Sequence, residues 1–167
     1  MRRHIGVVLQ DVFLFSGDVR ANLALGDPSV PMARIVKAAE AANADRFIRQ
    51  LPDKYDAPVR ERGSNFSAGQ RQLLSLARVL VFRPEILVMD EATSSVDTET
   101  EALIQDALEK VMRGRTCLLI AHRLSTIRNA DRIMVLHHGE IREIGSHAEL
   151  MEKQGIYYRL YQLQYER

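Results

Sequence analysis

Two sets of residues in this chain have the types and spacing to bind a ligand, one an anion site and one a pair of carboxylates, and a histidine and a glutamine end further apolar runs. Ser67 and Gly69 stand at the opening of an apolar, helix-like run that begins near Gln70. A helix start leaves backbone N–H groups unpaired and turns the positive end of the helix dipole outward, which is a natural anion site. Asp90 and Glu91 close the run Ile86, Leu87, Val88 and Met89, which is bounded by Pro84. Such a run has the pattern of a strand buried on both faces of a parallel sheet. Acids at the carboxyl end of that strand stand where open α/β sheets bind ligands. His122 follows a second apolar run, Thr116 to Ala121, which would deliver it to the same edge as Asp90. Gln10 ends a third run, His4 to Leu9.

The elements that must position these groups are legible as local signals. Ser67 and Gln70 are spaced as a capping box, in which the serine hydroxyl satisfies the helix's own N–H. Leu73, Leu74, Ala77, Leu80 and Val81 then lie on the core side of the helix. Asp97 can cap the next helix, with an apolar stripe at Leu103, Ile104, Ala107, Leu108 and Val111, basic residues late, and Gly114 to end it. Gly26-Asp27-Pro28 reads as a turn, and Pro31 suits the first position of a helix running through Ala42. A second short helix is expected over Asn43 to Leu51, stopped by Pro52. Arg132 to His137 reads as a strand, and Gly139 turns it into Glu140 to Ile144. His137 and His138 would point to opposite sides of a continuing strand, which argues against a metal site there. Ser146 and Glu149 form another capping box, and Ile156 to Tyr165 reads as a last amphipathic helix.

Composition narrows the function classes. At 167 residues and 46% hydrophobic content the chain is sized for one domain with a real core. Its apolar runs are far short of the ~20 residues needed to cross a bilayer. A formal net charge of +1 argues against a large nucleic-acid footprint. The single cysteine, Cys117, lies in an apolar run, so a buried thiol in a reducing compartment is expected and an internal disulfide is impossible.

Taken together, Phe66-Ser67-Ala68-Gly69-Gln70, the strand Ile86 to Asp90, Glu91, and Ser95-Val96-Asp97 resemble the ATP-binding domain of ABC transporters. They match, in order, that family's signature motif, Walker B strand, catalytic glutamate and D-loop. Gln10 and His122 fall in the right order for its Q-loop and H-loop residues. The resemblance implies that Asp90 holds Mg²⁺, that Gln10 reaches the metal and the attacking water, and that Glu91 orients or polarises that water. His122 would contact the γ-phosphate of ATP. Ser67, Ala68, Gly69 and Gln70, with Asp97, would face ATP bound to a second ATP-binding domain in a head-to-tail dimer. Phe66 replaces the family's usual Leu, and Ala68 its usual first Gly, which places one methyl group beside the phosphate path.

The segment Asp11 to Asn22 is similar to that of exporters whose membrane and ATPase parts are fused. Arg60-Glu61-Arg62-Gly63 resembles the exporter x-loop, which contacts the coupling helix of the membrane domain. The implied fold is α/β, a P-loop NTPase-like parallel sheet with helices on both faces plus an α-helical subdomain, truncated at its N-terminus. Its expected parts are a Q-loop strand and loop over 1–22, a helical subdomain with the signature helix over 23–83, core strands over 84–145, and C-terminal helices over 146–167. None of the nine glycines is followed by lysine, so the phosphate loop G-x-x-x-x-G-K-[S/T] is not in this sequence.

A fragment is therefore expected, with three contiguous strands ending at Gln10, Asp90 and His122, exposed apolar faces, and negligible ATP binding by the chain alone. The expected role is in ATP-driven export at the cytoplasmic face of the cell membrane. Two alternatives stand beside it: a non-catalytic half-site supplying only the signature face, and a soluble ABC ATPase acting on nucleic acid. The near-neutral charge and the exporter-like segment weigh against the second, so no nucleic-acid partner is expected.

Overall fold

A computed structural model describes residues 4–9, 11–90, 97–120 and 127–165. The chain divides into two compact units, Met1–Ile120 and Ala121–Arg167.

In the first unit, three strands form one parallel sheet in the order β1 (Ile5–Val8), β4 (Ile86–Asp90), β5 (Thr116–Ile120). Val8 lies opposite Met89, and Asp90 opposite Ile120, so the three strands end at one edge. The expected three contiguous strands are present. Between β1 and β4 the chain forms α1 (Val19–Leu23), α2 (Met32–Ala41), the four-residue α3 (Asp45–Ile48) and the long α4 (Ala68–Phe82). A small antiparallel pair, β2 (Gly17–Asp18) with β3 (Pro58–Val59), ties the start of this insertion to its middle. Pro31 is the N-cap of α2, one position ahead of its expected place, because its extended ψ of 141° lies outside the helical region. The helix sought over Asn43 to Leu51 shortens to α3. Asn43, with φ +59°, breaks the chain before it, and its side chain donates to the carbonyl of Leu103 at 2.9 Å.

Beyond β4, α5 (Thr98–Met112) leads into β5. α4 and α5 supply one shared core: Leu74, Leu76, Ala77 and Val81 pack with Leu87, Met89, Ile104, Ala107 and Val111. α4 ends where Arg83 turns left-handed (φ +49°) ahead of Pro84, whose ring disfavours the α conformation at the residue before it.

The strand Ile86–Asp90 departs from its expected burial on both faces. Leu87 and Met89 are buried beneath the helices, whereas Ile5, Val7, Ile86, Leu118 and Ile120 on the opposite face are about 40 to 60% exposed. Alternate side chains of a strand point to opposite faces, and in this unit the helices cover one of them. Cys117 lies on the covered side, half-buried, and burial pushes its thiol pKa up against the opposing charge of Arg115.

The second unit pairs β6 (Ile133–His137) with β7 (Glu140–Gly145) as a hairpin, followed by α6 (His147–Glu152) and α7 (Ile156–Tyr165). Its own core is Val135, Leu150 and Tyr157. The two histidines do not point apart. The strand stops at His137, and the turn residues His138 and Gly139 both take positive φ (50° and 78°), as a tight two-residue hairpin requires. The rings consequently meet edge to face at 4.1 Å.

Candidate functional site

The opening of α4 is built by a reciprocal cap. The Ser67 hydroxyl accepts from the Gln70 N–H at 3.1 Å, and the Gln70 side-chain oxygen accepts from the Ser67 N–H at 3.0 Å. Ala68 and Gly69, the first two residues of the helix, have no intrahelical acceptor for their N–H groups. Ser67 is exposed, Ala68 and Gln70 are half-buried, and Gly69 is buried. The turn is held from behind by Phe66, which is buried and packs edge to face on Phe47 at 6.0 Å. Phe66 thus anchors the Ser67 turn on the α3 region. Arg71 adds a second tie, donating to the Phe66 carbonyl at 2.7 Å.

Asp90 is half-buried at the carboxyl end of β4, where the aligned β5 also ends. Asp97 is the N-cap of α5, accepting from the Thr100 N–H at 2.9 Å. That hydrogen bond holds the Asp97 carboxyl below its ordinary pKa. Gln10, Glu91 and His122, with Ser95 and Val96, lie outside the described residues. The ends of β1, β4 and β5 nevertheless show that the strands preceding Gln10, Glu91 and His122 finish at one sheet edge. Among the described residues no cluster of three or more His, Cys, Asp or Glu could hold a metal. A single carboxylate such as Asp90 is the donor set that Mg²⁺ accepts when nucleotide phosphates and water complete its octahedron. The exposed start of α4 likewise suits a phosphate.

The arginine-rich loop Arg60 to Gly63 forms a short 3-10 turn over Glu61–Gly63. Arg62 and Gly63 take φ of +53° and +68°, and a Cβ on Gly63 would lie 2.7 Å from Leu14 Cδ1. Glycine is required there both for conformation and for space.

One element of this region had no expectation attached. Arg78 of α4 reaches into the segment that follows β1, donating to the Asn22 carbonyl at 3.0 Å and to the Phe13 carbonyl at 3.2 Å. The only sequence signal was an arginine set between the apolar Leu76, Ala77 and Val79, which reads equally well as a solvated side chain.

Residues 1–94, more than half of the 167, match the family model described as ABC transporter. The chain belongs to the ABC transporter family. Over 166 residues it is 52% identical to an ATP-dependent lipid A-core flippase of Syntrophus aciditrophicus, covering 99% of this chain and 28% of that protein. It is 50% identical over 165 residues to a leukotoxin translocation ATP-binding protein of Mannheimia haemolytica, covering 98% of this chain and 23% of the relative. Among solved structures, a bacterial Atm1-family ABC exporter with ATP bound superposes with a TM-score of 0.87 at 41% identity, covering 98% of this chain and 29% of that one. The ABC chain described here therefore spans about a quarter of the length of these relatives, and its parallel sheet and helices are those of the ABC ATPase fold.

Proposed function

We propose that this chain is part of the ATP-binding and ATP-hydrolysing domain of an ABC exporter, which couples hydrolysis to transport across the membrane. The observation that carries the reading is identity of about half over nearly the whole chain to an ATP-dependent flippase and a translocation ATP-binding protein. In this reading ATP and Mg²⁺ are the cofactors. Asp90 holds the metal through water, Gln10 reaches the metal and the attacking water, and Glu91 handles that water while His122 contacts the γ-phosphate. Ser67, Ala68, Gly69, Gln70 and Asp97 face a nucleotide held by a second domain, head to tail. The helical part between β1 and β4 receives the coupling helix of the membrane domain at the cytoplasmic face. The 167 residues alone, lacking a phosphate loop, bind ATP negligibly: about three lost charge-assisted contacts at roughly 1.5–3 kcal/mol each remove several powers of ten in affinity.

The test is Glu91→Gln in the full-length transporter. The amide keeps the shape of the carboxylate and loses its basicity, so ATP binding should persist while steady-state phosphate release disappears. Release at the native rate would remove Glu91 from the chemistry and, with it, this reading of the site.

A further inference from the structure

Arg78 is a charged, half-buried side chain between α4, α1 and the segment after β1, and the chemistry proposed above makes no use of it. Besides its bonds to the Asn22 and Phe13 carbonyls, it donates to the Asn22 side-chain oxygen at 3.4 Å. Among the described residues no carboxylate pairs with it, and burial lowers its pKa from the ordinary arginine value. Drawing a cation partly out of water among neutral acceptors is costly, and here three N–H groups of the planar fork, one from each nitrogen, meet fixed partners.

Those partners are themselves held in place. Asn22 is 2% exposed. Its side chain accepts from the Phe15 N–H at 2.8 Å and donates to the Phe15 carbonyl at 2.8 Å and the Asp18 carbonyl at 3.0 Å. Asp18 in turn caps α1, taking the Ala21 N–H at 2.6 Å. Asn22 thus folds residues 15–22 around one amide, and Arg78 ties that amide and the Phe13 carbonyl to α4. At the outer end of the segment Phe13 and Phe15 stack edge to face at 5.0 Å, and both are more than half exposed. At the other end of α4, eleven residues or about 16 Å along a helix from Arg78, is Ser67.

We propose that Arg78 and Asn22 form a strut that makes the Phe13–Phe15 segment and the Ser67 end of α4 move as one body. Arg78 is then a positioning residue: it touches no nucleotide, yet it transmits a displacement of the aromatic pair to the helix start that meets phosphate. The inference rests on the exporter reading, in which the membrane domain supplies the displacement. A helix is stiff along its axis, so the weak links in such a path are its lateral attachments. Arg78 makes such an attachment, donating from α4 to two carbonyls of the segment. A lysine keeps the charge but offers one nitrogen in place of the separate Nε and Nη1 donors that reach Asn22 and Phe13, so it cannot reproduce the fixed geometry of the fork.

The test is a double-variant cycle on ATP hydrolysis by the full-length transporter in liposomes, with Phe15→Ala, Arg78→Lys and the pair. Coupling between sites of this kind spans about 5- to 150-fold. Each single change should lower kcat by about fivefold or more, leave the KM for ATP within about twofold, and yield a double variant no slower than the slower single one. A purely structural arginine would give independent losses, so a double variant about 25-fold or more down, the product of the two singles, overturns the strut. An unchanged kcat in Phe15→Ala also overturns it. Should Arg78→Lys fail to fold, Arg78→Gln, whose amide can still reach the Asn22 carbonyl, serves in the same cycle under the same criteria. Persistence of hydrolysis in Glu91→Gln would instead remove the exporter chemistry itself, which separates the failure of that reading from the failure of the strut.

Discussion

Ser67 caps α4, and the contact with phosphate proposed above would be a second role that a pair of substitutions can pull apart from the first. Its φ of −64° and ψ of 162° are ordinary extended backbone, so Ser67→Ala adds no strain and removes the hydroxyl's bond to the Gln70 N–H. The returning bond from Gln70 to the Ser67 N–H survives. The loss is one N-cap, about 1 kcal/mol, and for a chain of this length about 2–4 °C in Tm. Ser67→Asp caps as well as serine and adds a favourable charge at the helix start, so its melt should match or exceed the native one. Turnover should rank the variants differently. In the full-length transporter alanine forfeits one hydrogen bond to a charged phosphate, worth about 1.5–3 kcal/mol, or roughly 10- to 150-fold in rate. Aspartate sets a carboxylate about 4 Å from phosphate, and at an effective dielectric of 20 that repulsion is about 4 kcal/mol, near a thousandfold. Thermal melts followed by circular dichroism at 222 nm should therefore order the variants Asp, Ser, Ala from most to least stable, and ATPase rates should order them Ser, Ala, Asp. The same order in both assays would show that Ser67 serves the helix alone and that the phosphate argument is wrong.

Gly63→Ala should lower the urea midpoint with the slope unchanged, at a cost of about 1–3 kcal/mol. The new methyl meets Leu14 Cδ1 at 2.7 Å in a left-handed backbone, and an unchanged midpoint would mean that the turn relaxes freely. Asp97→Asn tests the α5 cap by pH. The folded-state pKa of Asp97 lies below its ordinary value of 3.8, so the ionised cap contributes above the ordinary carboxylate range and is lost as pH falls through the folded value. Asparagine keeps the acceptor without titrating. Any melting advantage of the native chain over the variant should shrink between about pH 6 and pH 3, and a gap independent of pH would contradict the assignment.

What could be read from the sequence was what is local. The caps at Ser67, Asp97 and Ser146 were legible because the groups that bond lie three residues apart, and each is present. The strands of the sheet were legible as short apolar runs, since period and flanking Pro or Gly suffice to find them. What was not legible depends on distant partners. Whether Ile86 is covered depends on which elements lie on either side of the sheet, a property of topology that no window around residue 86 contains. Arg78 meets Asn22 across 56 positions, and nothing local separates it from a solvated arginine. The β2–β3 pair escaped notice because two residues per strand carry no period. At the site, Ser67 and Asp90 followed from physical signals in the chain. The roles of Gln10, Glu91 and His122 came from family resemblance, because a lone Gln, Glu or His after a strand has many structural uses.

The sheet of the first unit, with helices packed on one face and half-exposed apolar side chains on the other, has a calorimetric consequence. Heat capacity of unfolding scales with the apolar area newly wetted, at about 0.45 cal/mol/K per Å². Ile5, Val7, Ile86, Leu118 and Ile120 are already about half wet in the folded chain. If each withholds on the order of 80 Å² from the transition, the shortfall is about 0.2 kcal/mol/K against roughly 2 for a chain of this length. The free-energy curve should then bend less with temperature than chain length alone implies, a broader dome that would be the thermal imprint of apolar side chains left half wet on one face of the sheet.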